Sequence, residues 1–169
     1  MNIVPIMFAS PAYDQMVDLR LESIYYPIGL EIDTEAFAQE YKNVHLAVYS
    51  DNHELIGGVV ALVSEELDEF MIKRKICLFK QIFIKKEYQR MGLGAQLLST
   101  LEKMLIDKGY RELRLHVHLE IIDYYSGMGY NVHAKPFMAN GIRQQVMKKK
   151  LQQKSTKLEQ LVAVGNDRA

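Results

Sequence analysis

The sequence has a single cysteine, no surplus of charge and no long apolar run, and each of these features excludes a kind of structure or of partner. Cys77 has no partner for an internal disulfide, and its place in the apolar run at residues 76–79 indicates a buried, unreactive thiol. Lysine plus arginine and aspartate plus glutamate each number 21, so no global field attracts nucleic acid or an anionic membrane. No window approaches the roughly 18 uninterrupted apolar residues of a membrane-spanning helix.

The rest of the composition suits one globular domain. Of the 169 residues, 49% are apolar and 25% are charged, which is enough apolar material for a core. The apolar N-terminus is short, lacks a basic leader and is interrupted by Pro5, so it is not typical of a signal peptide, and we expect a cytoplasmic protein. Residues 1–151 should form the domain, and residues 152–169 should form a tail that is either helical or disordered.

The first half of the chain predicts two helices followed by a hairpin. Residues 13–25 are amphipathic, and Pro27 should end that helix because proline removes a helical hydrogen bond. Asp33 or Thr34 can cap a second helix that reaches residue 41. Two strands, residues 45–49 and 55–63, flank turn-forming residues, whereas the charged residues 64–75 give an ambiguous pattern that could form a surface loop with one helical turn.

The second half predicts alternating strands and helices. A buried strand at residues 76–84 precedes an amphipathic helix at 94–108, a strand with alternating apolar residues at 112–118 and a short helix at 121–126. Two last strands, residues 131–137 and 142–149, flank the hairpin signal Ala139-Asn140-Gly141. The sequence therefore predicts a mixed α/β sheet with helices on both faces.

A glycine-containing loop at residues 89–95 separates the buried strand from the amphipathic helix. Gly92 and Gly94 allow a sharp turn and a close approach by a ligand, and the free N–H groups of a helix N-terminus bind phosphate oxygens. Arg90 could add a charge-assisted contact. The loop lacks the ending of a P-loop, and Leu97 stands where a dinucleotide fingerprint needs its third glycine, which argues against nicotinamide or flavin cofactors.

A second motif, Tyr-Tyr-Ser-Gly-Met-Gly-Tyr at residues 124–130, follows the loop by about thirty residues. Strand, Gln-Arg-Met-Gly-Leu-Gly-Ala loop, helix, strand and this motif together resemble the GNAT acyltransferases over residues 10–151, most strongly over 82–130. The resemblance implies a mostly antiparallel sheet with splayed central strands. It also implies direct transfer of an acyl group, most simply from acetyl-CoA, to a small amine within a ternary complex, without a metal ion.

The resemblance also implies roles for individual residues. The pantetheine arm of the donor should lie beside residues 82–84 and its pyrophosphate on the amides of residues 89–95. Tyr125 should protonate the departing thiolate, which suits a phenol because it stays protonated at neutral pH, and Tyr124 is expected to pack. The residues so assigned to donor binding are Ile82, Phe83, Ile84, Gln89, Arg90, Met91, Gly92, Leu93, Gly94, Ala95 and His118.

The general base is not identified by the sequence. Gln81 stands where some relatives carry a carboxylate, and glutamine cannot accept a proton, although it could hold a water molecule. His116 and His118 share a face of one strand and could accept protons, or could be structural. Near the first two helices lie four acids that would favour a cationic amine, or that simply form a solvated face: Glu22, Glu31, Asp33 and Glu35.

The chain departs from the GNAT subgroup that carries a Pro-Leu-Gly-Leu element, here residues 27–30. That subgroup often ends with Phe-x-Glu-x-Gly-Ile-Pro-His, and Ala139 and Gln144 replace its glutamate and histidine. The departure implies a different acceptor or weakened catalysis, so the alternative function is an acyl-CoA-binding sensor or partner module. Exposed strands at the two ends of the sheet could pair in a homodimer.

Overall fold

An eight-stranded sheet organises the residues that the computed structural model describes, which are 1–31, 33–67, 70–139 and 141–152. The order across the sheet is β1-β2-β3-β4-β5-β8-β6, with β7 also paired to β8, and only β4 and β5 run parallel. This mostly antiparallel mixed sheet confirms the predicted fold class. In chain order, the strands are β1 (Asn2–Pro5), β2 (Val44–Tyr49), β3 (Leu55–Leu67), β4 (Lys73–Ile84), β5 (Glu112–His118), β6 (Asn131–Val132), β7 (Phe137–Ala139) and β8 (Ile142–Lys150).

The described helices are α1 (Pro11–Arg20), α2 (Thr34–Ala38), α3 (Leu93–Asp107) and α4 (Ile122–Ser126). Ser10 caps α1 through its hydroxyl, and Asp33 caps α2 by accepting from the Ala36 N–H at 2.9 Å, as the sequence predicted for Asp33. The single helix predicted at residues 13–25 is wrong, because α1 gives way to a π-helical turn at Leu21–Tyr25 and a 3₁₀ turn at Tyr26–Ile28. Pro27 fits there because it lies in the first positions of the 3₁₀ turn.

Helices cover the sheet on both faces, so the core has two halves. On the α1 face, Met16 and Leu19 pack with Val60 and Phe83. On the other face, α3 packs chiefly against β4, with further contacts to β2 and β3, and four of its leucines belong to the larger core cluster: Leu97, Leu98, Leu101 and Leu105. The alternation predicted for β5 is confirmed, since Leu113, Leu115 and Val117 are all buried. The predicted burial of Cys77 is confirmed, and this burial raises the pKa of its thiol to about 12, which keeps the thiol protonated at neutral pH.

Strand β4 separates from β5 at the point where a β-bulge interrupts the pairing of β4 with β3. Val60 of β3 lies opposite Gln81, whereas Ala61 lies opposite Phe79, so Lys80 is an extra residue on β4. The parallel pairing of β4 with β5 covers only residues 76–79 of β4. Beyond the bulge, one backbone edge of residues 81–84 therefore has no strand partner among the described residues, which gives the splay expected from the family resemblance.

The ambiguous residues 64–75 are not simply a surface loop, because β3 and β4 both extend into this segment as a two-stranded ribbon. Glu65 lies opposite Lys75 and Glu66 opposite Arg74 in the antiparallel register. Opposite charges directly across two strands stabilise the pairing, so a charged segment can form a ribbon when its charges face each other. Residues 68 and 69 lie outside the described residues.

Two further predictions need correction at the ends of the sheet. The strand predicted at residues 131–137 is in fact two short strands, β6 and β7, because Ala134 has a φ of 65° and Pro136 has no N–H to donate. Between β6 and β7, where strand hydrogen bonds are interrupted, the buried Gln145 side chain donates to the carbonyl oxygens of His133 and Ala134 at 3.1 and 2.9 Å. Strand β1 was not predicted at all.

The predicted hairpin around residues 139–141 is confirmed by the pairing of Ala139 with Ile142, although Asn140 itself lies outside the described residues. The tail predicted at residues 152–169 lies outside them too, apart from residue 152. No helix within the described ranges is both long enough and apolar enough to cross a membrane.

Gly58 should tolerate no side chain, because β3 passes directly beneath α1. A Cβ there would lie 2.5 Å from Met16 Cε, 2.7 Å from the Leu46 carbonyl oxygen and 2.9 Å from Phe83 Cζ. We expect Gly58→Ala to lower the free energy of unfolding by about 2–3 kcal/mol in urea titrations, since the crowding involves backbone as well as side chains. Gly127→Ala is the matched control, because its nearest neighbour would lie at 3.4 Å. Equal stability of the two variants would contradict the packing argument.

Candidate active site

A cleft of about 280 Å³ lies where β4 separates from β5. Residues of β4, of α3, of α4 and of the π-helical turn after α1 all contribute to its lining. The residues that line the cleft are Ser23, Ile24, Phe79, Ile82, Phe83, Ile84, Gln89, Gly94, Leu98, Tyr124, Tyr125 and Met128. The cleft therefore joins the two segments that the sequence singled out.

The loop at residues 89–95 leaves the N-terminus of α3 open to the cleft. Gly92 occupies the N-cap position with a φ of 77°, and no side chain caps the helix. The Gln96 N–H bonds to the Gly92 carbonyl oxygen at 3.1 Å, so the N–H groups of Leu93, Gly94 and Ala95 precede the first helical hydrogen bond. Such a row of N–H groups, with the dipole of a fifteen-residue helix behind it, favours an anion.

Gln89 ties this loop to the strand. Its side-chain Nε2 donates to the Ile84 carbonyl oxygen at 2.9 Å, which holds the start of the loop against the end of β4. The Ile84 carbonyl oxygen is therefore already satisfied within the protein. Arg90 has a φ of 62°, so the turn contains a left-handed residue before Gly92 as well.

The predicted donor-binding residues divide into three groups. Ile82, Phe83, Ile84, Gln89 and Gly94 line the cleft, together with Tyr125. Arg90, Met91 and Gly92 are exposed on the loop. The Leu93 side chain is buried in the core, so only the backbone of Leu93 can contact a ligand. Ala95 is half-buried on α3, and His118 is exposed at the end of β5, outside the lining.

Tyr125 is the buried phenol of the cleft. It lies on α4 with 8% of its surface exposed, and its ring meets those of Tyr124 and Tyr130 edge-on. Burial, and then the proximity of Tyr124, raise the pKa of Tyr125 above its usual value, so its hydroxyl is protonated at neutral pH. Tyr124 does more than pack as predicted, because 53% of it is exposed and it also lines the cleft.

A buried polar network, which the sequence did not predict, lies behind the π-helical turn. Arg20 forms two hydrogen bonds to Glu40, at 2.8 and 2.9 Å, and both residues are 2% exposed. Arg20 Nε and Nη2 also donate to Gln81 Oε1, at 3.0 and 2.6 Å, and Gln81 Nε2 donates to the Tyr25 hydroxyl at 3.1 Å. The one available signal was an arginine four residues after Met16 on the apolar face of α1.

Glu40 is held ionised by this network. Burial alone would raise its pKa, but His45 and Arg20 outweigh that effect, and Tyr13 donates a further hydrogen bond at 2.9 Å. The pKa of Glu40 is therefore about 2. Its carboxylate is committed to Arg20 and unsuited to accept a proton from a substrate.

The other candidate bases and acids lie outside the cleft. His116 packs edge-on against Phe137, burial lowers its pKa, and neither it nor His118 is in the lining. Ala139 and Gln144 are half-buried on β7 and β8, also outside the lining. The acids Glu22, Glu31 and Glu35 are exposed, and Asp33 is used as a helix cap. The described residues include no group of three side chains that could hold a metal ion.

Comparison with known proteins gives one family for most of this chain. The sequence profile described as acetyltransferase (GNAT) domain matches residues 28–151. An uncharacterized Bacillus subtilis protein, YyaT, is 27% identical over 112 residues, which are 66% of this chain and 69% of YyaT. The beta-lysine N(6)-acetyltransferase of Methanococcus maripaludis is 33% identical over 86 residues, which are 51% of this chain but only 29% of that protein.

Solved structures share the architecture. An aminoglycoside 6'-N-acetyltransferase complexed with coenzyme A superimposes with a TM-score of 0.70, covering 92% of this chain and 100% of that one. The two sequences are 16% identical, so the likeness shows the fold and no more.

The buried carboxylate should make stability sensitive to acid. Because the pKa of Glu40 is about 2 in the folded protein, below the usual 4.5, its contribution is complete above about pH 5 and is lost as the pH falls towards 2. We expect about 2 kcal/mol of the free energy of unfolding to be lost between pH 5 and pH 3 through this group, measured by urea titration at several pH values.

Glu40→Gln should be less stable at pH 7, because it leaves Arg20 without its counter-ion, and should lack this part of the acid dependence. The exposed Glu35→Gln variant is the control and should follow the wild-type curve. Parallel pH curves for wild type and Glu40→Gln would contradict the assignment.

Proposed function

Since the chain belongs to the GNAT acetyltransferase family, we propose that it transfers an acetyl group from acetyl-CoA to the nitrogen of a small amine, in a ternary complex. The observation that carries the proposal is the meeting of three features in one cleft. These are the unpaired edge of β4, the uncapped amides at the start of α3, and the buried Tyr125.

The donor site suits the chemistry of coenzyme A. Its pantetheine arm carries amide groups, which can hydrogen-bond as a strand would to the backbone edge of residues 82–84, where only the Ile84 carbonyl oxygen is already bonded, to Gln89. Its pyrophosphate fits the open N–H groups of Leu93, Gly94 and Ala95, with Arg90 exposed on the same loop to add charge. His118 lies outside the lining of the cleft, at the end of β5, and its contact with the donor remains a proposal.

Tyr125 has the properties of the acid that the transfer needs. When the amine attacks the thioester carbonyl carbon, the carbon–sulfur bond breaks and the sulfur leaves as a thiolate. A phenol that burial keeps protonated can supply the proton to that sulfur. Two proteins similar to this chain are named for acetylating amine-bearing small molecules, beta-lysine and aminoglycosides, which supports an amine as acceptor.

The alternative is a module that binds acyl-CoA without transferring the acyl group. It is favoured by the lining of the cleft, which within the described residues contains no carboxylate or histidine to act as a base. Calorimetric titration with acetyl-CoA, followed by measurement of free thiol over a panel of amines, separates the two functions. Tight binding with no thiol released by any amine would support the module and contradict the transferase.

Gly94 should be needed to leave room for the donor. A Cβ at Gly94 would lie 3.6 Å from Ile82 Cδ1 and 3.9 Å from the Tyr124 hydroxyl oxygen, which fits the empty protein but occupies the cleft. We expect Gly94→Ala to weaken acetyl-CoA binding at least about tenfold by calorimetry, because the methyl group fills space that a ligand needs.

The same variant should unfold at the wild-type temperature or slightly above it, since alanine favours a helix by up to about 1 kcal/mol over glycine. Ser99→Ala, on an exposed position of the same helix, controls for changes in α3. An unchanged dissociation constant for Gly94→Ala would place the donor elsewhere.

Removing the Tyr125 hydroxyl should slow chemistry and spare binding. We expect Tyr125→Phe to lower kcat by roughly 100-fold or more, as is typical for loss of a general acid, with the acetyl-CoA dissociation constant within about twofold of wild type. Tyr124→Phe is the comparison, because Tyr124 lines the same cleft but is half exposed. If Tyr124→Phe showed the large loss and Tyr125→Phe did not, the acid would be Tyr124.

A further inference from the structure

One hydrogen bond joins two elements that both contribute to the lining of the cleft. The π-helical turn contributes Ser23 and Ile24, and β4 contributes residues 82–84. Tyr25 is the last residue of the turn, Gln81 directly precedes residues 82–84 in the strand, and Gln81 Nε2 donates to the Tyr25 hydroxyl oxygen at 3.1 Å. We propose that Tyr25 is a positioning residue, which sets the affinity of the cleft for the acyl donor by holding the turn at a fixed distance from β4. The inference rests on the proposed function, in which the donor lies beside residues 82–84.

The π-helical geometry brings Tyr25 to the same side of the helix as Arg20. In an α-helix, a residue five positions further along the chain lies about 140° around the axis, because each residue turns by about 100°. In the turn after α1, the Tyr26 N–H instead bonds to the Leu21 carbonyl oxygen five residues earlier, so residues five apart lie nearly above one another. Tyr25 follows Arg20 by five residues, and both side chains reach Gln81. A continued α-helix would turn Tyr25 away from β4.

The amide of Gln81 has one orientation that suits both of its neighbours. Arg20 donates to Gln81 Oε1 from Nε and Nη2, at 3.0 and 2.6 Å, and a guanidinium group has no acceptor. The amide oxygen of Gln81 therefore faces Arg20, and its nitrogen faces Tyr25. Arg20 is held in turn by two hydrogen bonds to Glu40, and both of these residues are buried. The position of Tyr25 is thus fixed by a buried ion pair.

The ring of Tyr25 is held as well as its hydroxyl group. Its centroid lies 5.8 Å from that of Phe37, and the Phe37 ring centre lies 4.6 Å from the Arg20 guanidinium carbon. The next residue differs, because Tyr26 is 60% exposed and its hydroxyl has no hydrogen-bond partner within the described residues. Among the neighbouring side chains of the turn, Tyr25 is therefore the one that connects the turn to the strand.

A hydrogen bond within the empty protein affects affinity through preorganisation. A cleft that already has the shape needed by its ligand loses less conformational freedom when the ligand binds. Without the bond between Tyr25 and Gln81, the turn gains freedom in the empty protein, and the donor must restrict that freedom again. Because Tyr125, the proposed acid, lies on α4 and outside this network, the transfer step itself should keep its rate.

Tyr25→Phe removes the bond and keeps the ring. We expect the dissociation constant of acetyl-CoA, measured by calorimetry on the intact chain, to rise about fivefold, as is typical for loss of one neutral hydrogen bond. In the amine panel, KM for acetyl-CoA should rise by a similar factor, whereas kcat should stay within about twofold of wild type. Tyr26→Phe is the matched control, because it removes an exposed hydroxyl one residue further on and should bind acetyl-CoA as wild type does.

A double-mutant cycle shows whether the effect passes through Gln81. Gln81→Met keeps the length of the side chain without its polar atoms, so the bond is already absent. In that background, Tyr25→Phe should weaken acetyl-CoA binding no further. A further loss of about fivefold would mean that Tyr25 acts on the donor by another route, and would overturn the inference. If Gln81→Met does not fold, the comparison of Tyr25→Phe with Tyr26→Phe decides alone.

The outcomes separate this inference from the proposed function. Equal dissociation constants for Tyr25→Phe and wild type, in protein that binds acetyl-CoA, would overturn the inference and leave the transferase function standing. A tenfold fall in kcat with unchanged KM would also overturn it, because Tyr25 would then act in the chemistry instead of in donor binding. A wild-type chain that does not bind acetyl-CoA would overturn both.

Discussion

The extra residue in β4 is the constraint on which the site depends. Up to Phe79 the strand pairs with β5, and at Lys80 the pleat slips by one residue against β3. Because side chains alternate between the two faces of a sheet, this one-residue slip places each side chain after Lys80 on the face opposite to the one it would otherwise occupy. Ile82 and Ile84 then join the α3 side of the core, whereas Phe83 joins the α1 side. The bulge thus gives β4 both a free backbone edge and its contact with the buried arginine.

That arginine connects β4 to the helix that precedes the π-helical turn. Taking Arg20 and Glu40 out of water is costly, and removing either partner would cost more, because the remaining charge would be buried alone. The role of the Arg20–Glu40 pair is therefore better explained by the contacts that it holds in place than by a net contribution to the stability of the fold. Arg20 links the end of α1 to β4 through Gln81, and its guanidinium lies 4.6 Å from the centre of the Phe37 ring. The π-helical turn that carries Ser23 and Ile24 begins directly after it.

Sequence patterns predicted the parts of this fold that follow from local chemistry. Strand β5 was predicted with its observed bounds because one of its faces is buried, and α3 to within one residue because its apolar stripe is continuous. The bulge at Lys80 could not be predicted, since nothing local distinguishes an extra residue from a paired one. The charged ribbon at the ends of β3 and β4 was missed for a related reason, because its cross-strand charge pairs exist only once the register is set.

The candidate site shows the same difference between features that local sequence predicts and features that depend on the tertiary structure. The loop at residues 89–95 was predicted from its glycines and Tyr125 from the resemblance of its motif to the GNAT family, and the lining of the cleft includes Gln89 and Gly94 of the loop as well as Tyr125. The neutral lining was not foreseen. The four acids near the first helices could be interpreted either as a site for a cationic amine or as a solvated face, because whether a side chain faces water or a ligand is decided by helix rotation and by the π-helical turn. Ser23 lines the cleft and Glu22 does not, although both are exposed, so one position along the turn decides which side chain reaches the cleft.

A neutral cleft also changes what Tyr125 must do. Burial that raises the pKa of a phenol makes it a weaker acid towards a thiolate, whose own thiol has a pKa of about 8.5 in a cysteine side chain. The same burial makes the resulting phenolate a stronger base. A group that gives a proton to sulfur reluctantly and takes one from nitrogen readily is suited to carry a proton from one to the other. Where the lining offers no carboxylate, that exchange through one hydroxyl avoids leaving charge on the reacting sulfur and nitrogen atoms, and charge is what an apolar site stabilises least.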